Sequence, residues 1–396
     1  MSGTDLDPAR LDRARIAVGV TFATNGLAFA GWLARAPAVR GDLALSAAGF
    51  GLLLLCISVA AISAIPLAGP LVQRFGPGRV VLLGSSSMVL GLTGLAVGTS
   101  AGQVPVAAVG LALVGAGNSC WDVAMNVEGA DVERRLGRTI MPRFHAGFSL
   151  GTMLGAAISA LAAAAGLPIS AQLYLTAALT AAVTFPTVRR FVPHEPLPEG
   201  HRHAMSVGQA WREPRTILIG LIMLGFGFTE GTANDWFAIS LVDGYGTSET
   251  IGAIGYGTFV TAMTLSRLFG GYALERWGRV RVLRATVVSG AAGVLLVVSG
   301  IGVPLVLVGG LLWGAGASLG FPVGMSAAAD DPTRAAIRVS VAGSIGYGSF
   351  LAGPPLVGVL AQHFGVLHAI LCVFGALAIG VAASHAARPL RPADGP

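Results

Sequence analysis

Gly271-Tyr272-Ala273-Leu274-Glu275-Arg276-Trp277-Gly278-Arg279 separates two long apolar runs, and Arg267 precedes it by one helical turn. Two helices that reverse at a membrane face and pack closely need glycine, which admits a tight turn and close backbone approach. An acid among arginines at such a helix end can also form a charge latch. The first half of the chain carries a weaker copy, Gly69-Pro70-Leu71-Val72-Gln73-Arg74-Phe75-Gly76-Pro77-Gly78-Arg79. Any polytopic protein has basic hairpins, but that reading does not account for two copies at matching places. The pair therefore divides the chain into two related halves.

The rest of the sequence fits a chain that lives in lipid. Of its 396 residues, 54% are hydrophobic and 11% charged, against roughly a quarter charged in soluble proteins. Mean hydropathy is +0.74. Apolar stretches of about 20 residues recur, the length a helix needs to cross a bilayer. Twelve are counted, near 15–38, 47–69, 80–99, 104–127, 144–166 and 170–190, then 215–242, 250–273, 282–302, 304–328, 338–361 and 366–386. The expected class is an all-α, multi-pass protein of the inner or plasma membrane.

Arginine placement gives an orientation. Arg10, Arg13 and Arg15, then Arg74 and Arg79, then Arg134, Arg135, Arg138 and Arg143 fall on one side, and the later arginines continue the alternation. Both termini are thereby placed in the cytoplasm. Arg35, Arg40 and Arg267 depart from the pattern, Arg267 being counted close to the inner face. The pI near 9.9 does not imply nucleic acid as a partner, because the basic residues are spread over inter-helix turns. All of them are arginine; no lysine occurs. Cys56, Cys120 and Cys372 stand isolated in apolar runs, which gives neither a disulfide framework nor a metal site. No cleaved leader is expected, since the N-terminus is polar and the first apolar run has full spanning length.

One polar linker, 191–214, parts an N-terminal six-helix bundle, 1–190, from a C-terminal one, 215–396. His201 and His203 lie in that linker, where two solvated histidines do not make a metal site. The halves echo each other elsewhere. Val114-Gly115-Ala116-Gly117 corresponds to Trp313-Gly314-Ala315-Gly316, and Trp32 to Trp236. Gly147, Gly151 and Gly155, each four apart, suit close helix packing. Such symmetry predicts two bundles about an axis along the membrane normal, with a small-molecule substrate held near the midplane. A monomer in the lipid bilayer is expected.

The twin loops resemble the signature loop of the major facilitator superfamily: a glycine, then an acid, then Arg-x-Gly with a further basic residue. The resemblance implies twelve transmembrane helices in two pseudo-symmetric six-helix bundles. It assigns gating to Gly69, Arg74, Gly76 and Arg79 in the first copy, and to Gly271, Glu275, Arg276, Gly278 and Arg279, with Arg267, in the second. Gln73 departs from the pattern, standing where the family usually has aspartate.

Two clusters of polar residues lie within the apolar runs. Ionisable groups there cost about 2.5–3.5 kcal/mol on insertion scales, so each needs a reason. In span four, Asn118, Asp122 and Asn126 share one helix face by their spacing of four. A carboxylate flanked by amides can take up a proton or hydrogen-bond sugar hydroxyls; pairing with a loop arginine is the structural alternative. Asp122-Val-Ala-Met-Asn126 resembles the fucose permease branch, with aspartate for glutamate, and Asn25 in span one extends the resemblance. Ala28 and Phe29 stand where that branch has a membrane aspartate a few residues further on.

In span seven, Glu230, Asn234, Asp235 and Trp236 follow one another. Glu230 is counted at mid-membrane, where burial suits a proton carrier, with Asn234 one turn above and Asp235 turned away. Trp32 and Trp236 offer platforms for a sugar ring or mark the interface. Arg35 has three readings: a partner for Asp235 or Glu230, a contact for an anionic substrate, or a snorkelling side chain. His145 titrates in the useful range but stands near an interface.

No phosphate loop or cofactor fingerprint is present, so no cofactor is expected and any active transport must draw on a gradient. The expected function is secondary active transport of a small polar solute, such as a sugar, by alternating access with proton coupling. The alternative is a proton-driven antiporter exporting drugs or metabolites. An enzyme is not expected, because the acids lack a matched nucleophile or metal-ligand motif.

Overall fold

A computed structural model describes residues 7–45, 47–192, 205–247 and 249–390. His201 and His203, with half of the linker, lie outside them. The described residues form helices and no strands. In chain order these are α1 (Pro8–Leu33), the short α2 (Ala36–Asp42), α3 (Ala47–Phe75), α4 (Pro77–Ala101), α5 (Val104–Leu136), α6 (Met141–Ala164) and α7 (Ile169–Val188). The single turn α8 (Val207–Ala210) precedes α9 (Pro214–Ile239), α10 (Glu249–Trp277), α11 (Arg279–Val298), α12 (Val303–Ala317) and α13 (Gly320–Ala328). Last come α14 (Ala335–Phe364), α15 (Val366–Ile370) and α16 (Val373–Ala383).

Among the described residues, ten helical stretches are long and apolar enough to cross a membrane, counting 303–328 and 366–387 as one each. The 29-residue α10 and the 30-residue α14 complete the twelve.

The chain divides into two compact units. The first holds residues 1–137, 144–207 and 332–340; the second holds 138–143, 208–331 and 341–396. Each unit thus includes one short segment whose sequence neighbours on both sides belong to the other.

Both signature turns have the same geometry. Gly76 (φ 81°, ψ 158°) caps α4 and Gly278 (φ 77°, ψ 155°) caps α11, a left-handed region that an L side chain enters only with strain. Gly365 repeats it before α15 (φ 80°, ψ 156°), inside His363-Phe364-Gly365, a third turn the sequence reading passed over.

Small residues set the helix spacing inside each unit. A Cβ on Gly151 would run into the Ala23 carbonyl, and one on Gly155 would stand 2.7 Å from that of Leu27. The glycine face of α6 therefore lies against α1. Gly115 abuts the Ile57 carbonyl as Gly314 abuts that of Phe259, and Gly117 meets Gly84 as Gly316 meets Gly290. The sequence echo between residues 114–117 and 313–316 is thus an echo of packing: α5 against α3 and α4, α12 against α10 and α11. In α14 only Gly346 is closely approached, by Met223 at 2.8 Å; Gly348 has nothing within 4 Å.

One predicted span is broken. Residues 318 and 319 interrupt the run between α12 and α13. Pro322 explains the break: it has no N–H to give the carbonyl four residues earlier, which is that of Ser318.

Candidate functional site

Each unit carries its own constellation of polar side chains among apolar helices. In the first, Asp122 and Asn126 are buried on α5, and His145 is buried near the start of α6. The Asn126 amide donates to the Asp122 carbonyl at 2.9 Å and to its carboxylate at 3.2 Å. Its Oδ1 lies 3.0 Å from Nε2 of His145, which therefore carries the proton in this arrangement. The Phe22 ring of α1 packs 5.2 Å from the imidazole. The structure thus joins three sequence candidates, Asp122, Asn126 and His145, in one hydrogen-bonded row.

Asn25, one turn along α1 from Phe22, is fully buried, and neither atom of its amide has a partner among the described residues. Oδ1 of Asn118 is likewise buried and unpartnered. Such groups are rare in folded proteins, because each forfeits its bond to water.

The second constellation centres on an ion pair. Glu230 of α9 accepts from Nη2 of Arg267 of α10 at 2.7 Å, with side chains 15% and 5% exposed. Nε of Arg267 donates to the Ser318 carbonyl at 3.1 Å, the one that Pro322 leaves without a helical partner. The sequence places Arg267 close to the inner face. It stands ten residues before the C-terminal end of α10, about 15 Å from that end along the axis, and its side chain reaches the carboxylate. Glu230 is therefore no isolated acid but the anion of a buried pair. One turn further along α9, exposed Asn234 accepts from the Tyr256 hydroxyl at 3.1 Å. Asp235 is exposed.

Three other candidates have settings the sequence did not give. Arg35 donates to the Leu167 carbonyl at 3.1 Å and to Oε1 of Gln172 at 3.0 Å. The Gln172 amide continues to the Gly31 carbonyl and the Ser159 hydroxyl, both at 2.7 Å. This network ties α1, α6 and α7, and neither Gln172 nor Ser159 drew notice in the sequence. Trp32 is 1% exposed and packs edge-on to Phe29, so its ring is part of the core. Trp236 packs against the apolar core of the second unit.

The signature loops differ in their partners. Glu275 accepts from the backbone N–H of Thr139 at 2.6 Å, so its partner is an amide and not the basic side chain expected. Gly271 makes room for that segment: a Cβ there would stand 2.5 Å from the Thr139 carbonyl. Gly69 does the same for the 332–340 segment, 2.8 Å from the Ala336 carbonyl. Arg279 donates twice to Asp330, at 2.8 and 3.0 Å, and once to Ser326. Arg215 joins the same carboxylate at 2.7 Å. In the first half the matching acid, Asp131, is taken by Arg134 and Arg135 of its own helix. Arg79 has no partner among the described residues, and Arg74 lies over the Phe75 ring. A further buried acid missed in the sequence, Glu128, accepts from the Val192 N–H at 2.7 Å and pins the end of the first unit.

The family model of the Major Facilitator Superfamily matches residues 17–255 and 231–396. An uncharacterized transporter, y4wD, of Sinorhizobium fredii is 33% identical over 346 residues, covering 87% of this chain and 90% of that protein. An uncharacterized MFS-type transporter of Yersinia pestis is 31% identical, covering 93% and 94%. Among solved structures, FucP in its outward conformation superposes with a TM-score of 0.77 at 13% identity, over 94% of this chain and 97% of that one. Another structure describes FucP as the E. coli fucose:proton symporter.

Proposed function

We propose that this chain, which belongs to the Major Facilitator Superfamily, is a proton-coupled secondary transporter of a small polar solute, with sugars and related polyhydroxy compounds the leading class. It is an integral multi-pass membrane protein and a transporter, not an enzyme. The observation that carries the coupled reading is the Glu230–Arg267 pair, held among apolar helices by a carbonyl that a proline sets free. Intramembrane charges are costly and mark ion or substrate paths by default.

Glu230 is the proton site in this reading. Unprotonated, it binds Arg267; protonated, it releases the guanidinium, which keeps the Ser318 carbonyl and gains donors for solute oxygens. Asp122 is the second titratable group, with Asn126 and His145 ready to shift their hydrogen bonds when its charge changes. The unpartnered amide of Asn25 and the unpartnered Oδ1 of Asn118 supply the capacity that hydroxyl groups need. FucP, a fucose:proton symporter, lends the sugar class support through shared fold alone. The protein acts as a monomer in the inner or plasma membrane with both termini cytoplasmic, and takes no nucleic acid partner.

Purified protein screened against sugars, organic acids and cationic drugs by thermal shift identifies the class, because binding raises apparent stability. A sugar or polyol hit that accumulates in proteoliposomes down an imposed proton gradient supports the proposal. Cationic hits driven outward by the gradient would replace it with the antiporter.

A further inference from the structure

On an exposed face of the second unit, α12 packs along both α10 and α11 while those two helices touch sparingly. The divergence leaves a groove of about 470 Å³, floored by small residues such as Gly270, Ala273, Ala285 and Ser289, with Trp277 and Arg281 at one end. From Arg281 to Ser289 it follows α11 for eight residues, about 12 Å. Phe269 beside it is 70% exposed and Val288 69%, so this face of the bundle meets hydrocarbon in a membrane.

The polar end is different. Trp277 and Tyr272 are 53% and 65% exposed, and such amphipathic rings gather at headgroup level. Arg276 and Arg281 are exposed and make no hydrogen bond or ion pair among the described residues. Their neighbours are already taken: Arg279 by Asp330, Arg284 by Ser384, and Glu275 by the Thr139 amide. Arg281 therefore stands uncompensated at the mouth of an apolar trough, and Arg276, next to Trp277 in sequence, adds a second uncompensated cation at the arginine-rich end of the helices.

The complement of that surface is an amphiphile with a negative head; basic pockets between transmembrane helices hold anionic headgroups in this way. We propose that the groove binds an anionic glycerophospholipid, one acyl chain lying along α11 and its phosphate at Arg281 and Arg276. Ser318 forms part of the groove wall, and its carbonyl holds Arg267. The bound chain thus braces the wall behind the Glu230–Arg267 pair.

The test compares thermal unfolding of the full chain in detergent with added phosphatidylglycerol or phosphatidylcholine of the same acyl chains. Wild type should gain more from phosphatidylglycerol. R276Q/R281Q should lose that difference, while R10Q/R13Q, which removes the same charge elsewhere, should keep it. Ala285→Phe, which fills the trough, should blunt the response to both lipids. Equal responses of wild type to the two lipids would overturn the proposal, and so would an undiminished phosphatidylglycerol preference in R276Q/R281Q. Should the glutamine pair fail to fold, Ala285→Phe decides alone, and an unchanged lipid response in it refutes the site.

Discussion

Replacing Glu230 by glutamine removes one charge from a pair whose other member, Arg267, is only 4% exposed. Leaving a buried charge without its partner costs about 3–5 kcal/mol. Two features of the structure soften the loss. The Ser318 carbonyl still accepts from Nε of Arg267, and a glutamine oxygen still offers a neutral acceptor worth about 1 kcal/mol. The expected destabilisation of Glu230→Gln is then about 2–4 kcal/mol. Arg267→Met leaves the carboxylate alone, and that group can relieve itself by taking up a proton, so the cost should be smaller. The double variant has no charge left to strand. A coupling energy of about 2 kcal/mol should therefore separate it from the sum of the singles. Equilibrium unfolding in mixed micelles, followed by tryptophan fluorescence, measures all four proteins. Additive singles, with coupling below about 0.5 kcal/mol, would refute the claim that the two side chains act as one element.

Four further outcomes are expected. Asp122→Asn keeps the bond from Asn126 to the residue-122 carbonyl and removes titration, so proton-driven accumulation should fall while counterflow exchange persists; loss of both with intact folding would contradict a proton role. Pro322→Ala restores an N–H that competes with Arg267 for the Ser318 carbonyl, and the pH profile of solute binding should shift; an unchanged profile would remove that carbonyl from the account. Glu275→Ala deletes the acceptor of the Thr139 amide, whose hydrogen exchange should quicken about tenfold, the equivalent of one charge-assisted bond of roughly 1.4 kcal/mol; unaltered exchange would argue that the bond does not hold the segment. Gly271→Ala puts a methyl against the Thr139 carbonyl and should expose residues 138–143 to protease, whereas Gly278→Ala, with nothing near its Cβ, should act through backbone strain on the turn alone.

The fold was legible because its determinants are local. Gly76 and Gly278 announce left-handed turns, apolar runs of spanning length announce helices, and the glycine triplet of α6 announces a packing face. Residues 304–328 read as one span, but Pro322 breaks it at the carbonyl of Ser318. The site was less legible because it depends on the rotation and depth of separate helices. Glu230 and Arg267 both stand out as charges in apolar runs, but their pairing does not, because it depends on how α9 and α10 are turned against each other. Gln172 gave no signal at all: a single glutamine in an apolar run has no period or motif to betray that it receives Arg35. The Asp122–Asn126 pair was readable from its spacing on one helix, while the third member, His145, needed the approach of α6 to α5. The asymmetry of the signature loops was foreshadowed by Gln73, but the binding of Arg279 to Asp330 was not, because Asp330 lies 51 residues on, beyond α11, α12 and α13.

Proton movement measured directly at Glu230 tests the central claim best. Proteoliposomes holding a pH-sensitive dye are exposed to the solute that the thermal-shift screen identifies, with no gradient imposed. The wild-type protein should change the internal pH as solute enters, and Glu230→Gln should bind the solute, carry it in exchange and leave the pH still. Solute-driven proton flux of wild-type size in Glu230→Gln would show that the pair with Arg267 is structural and that the proton travels elsewhere.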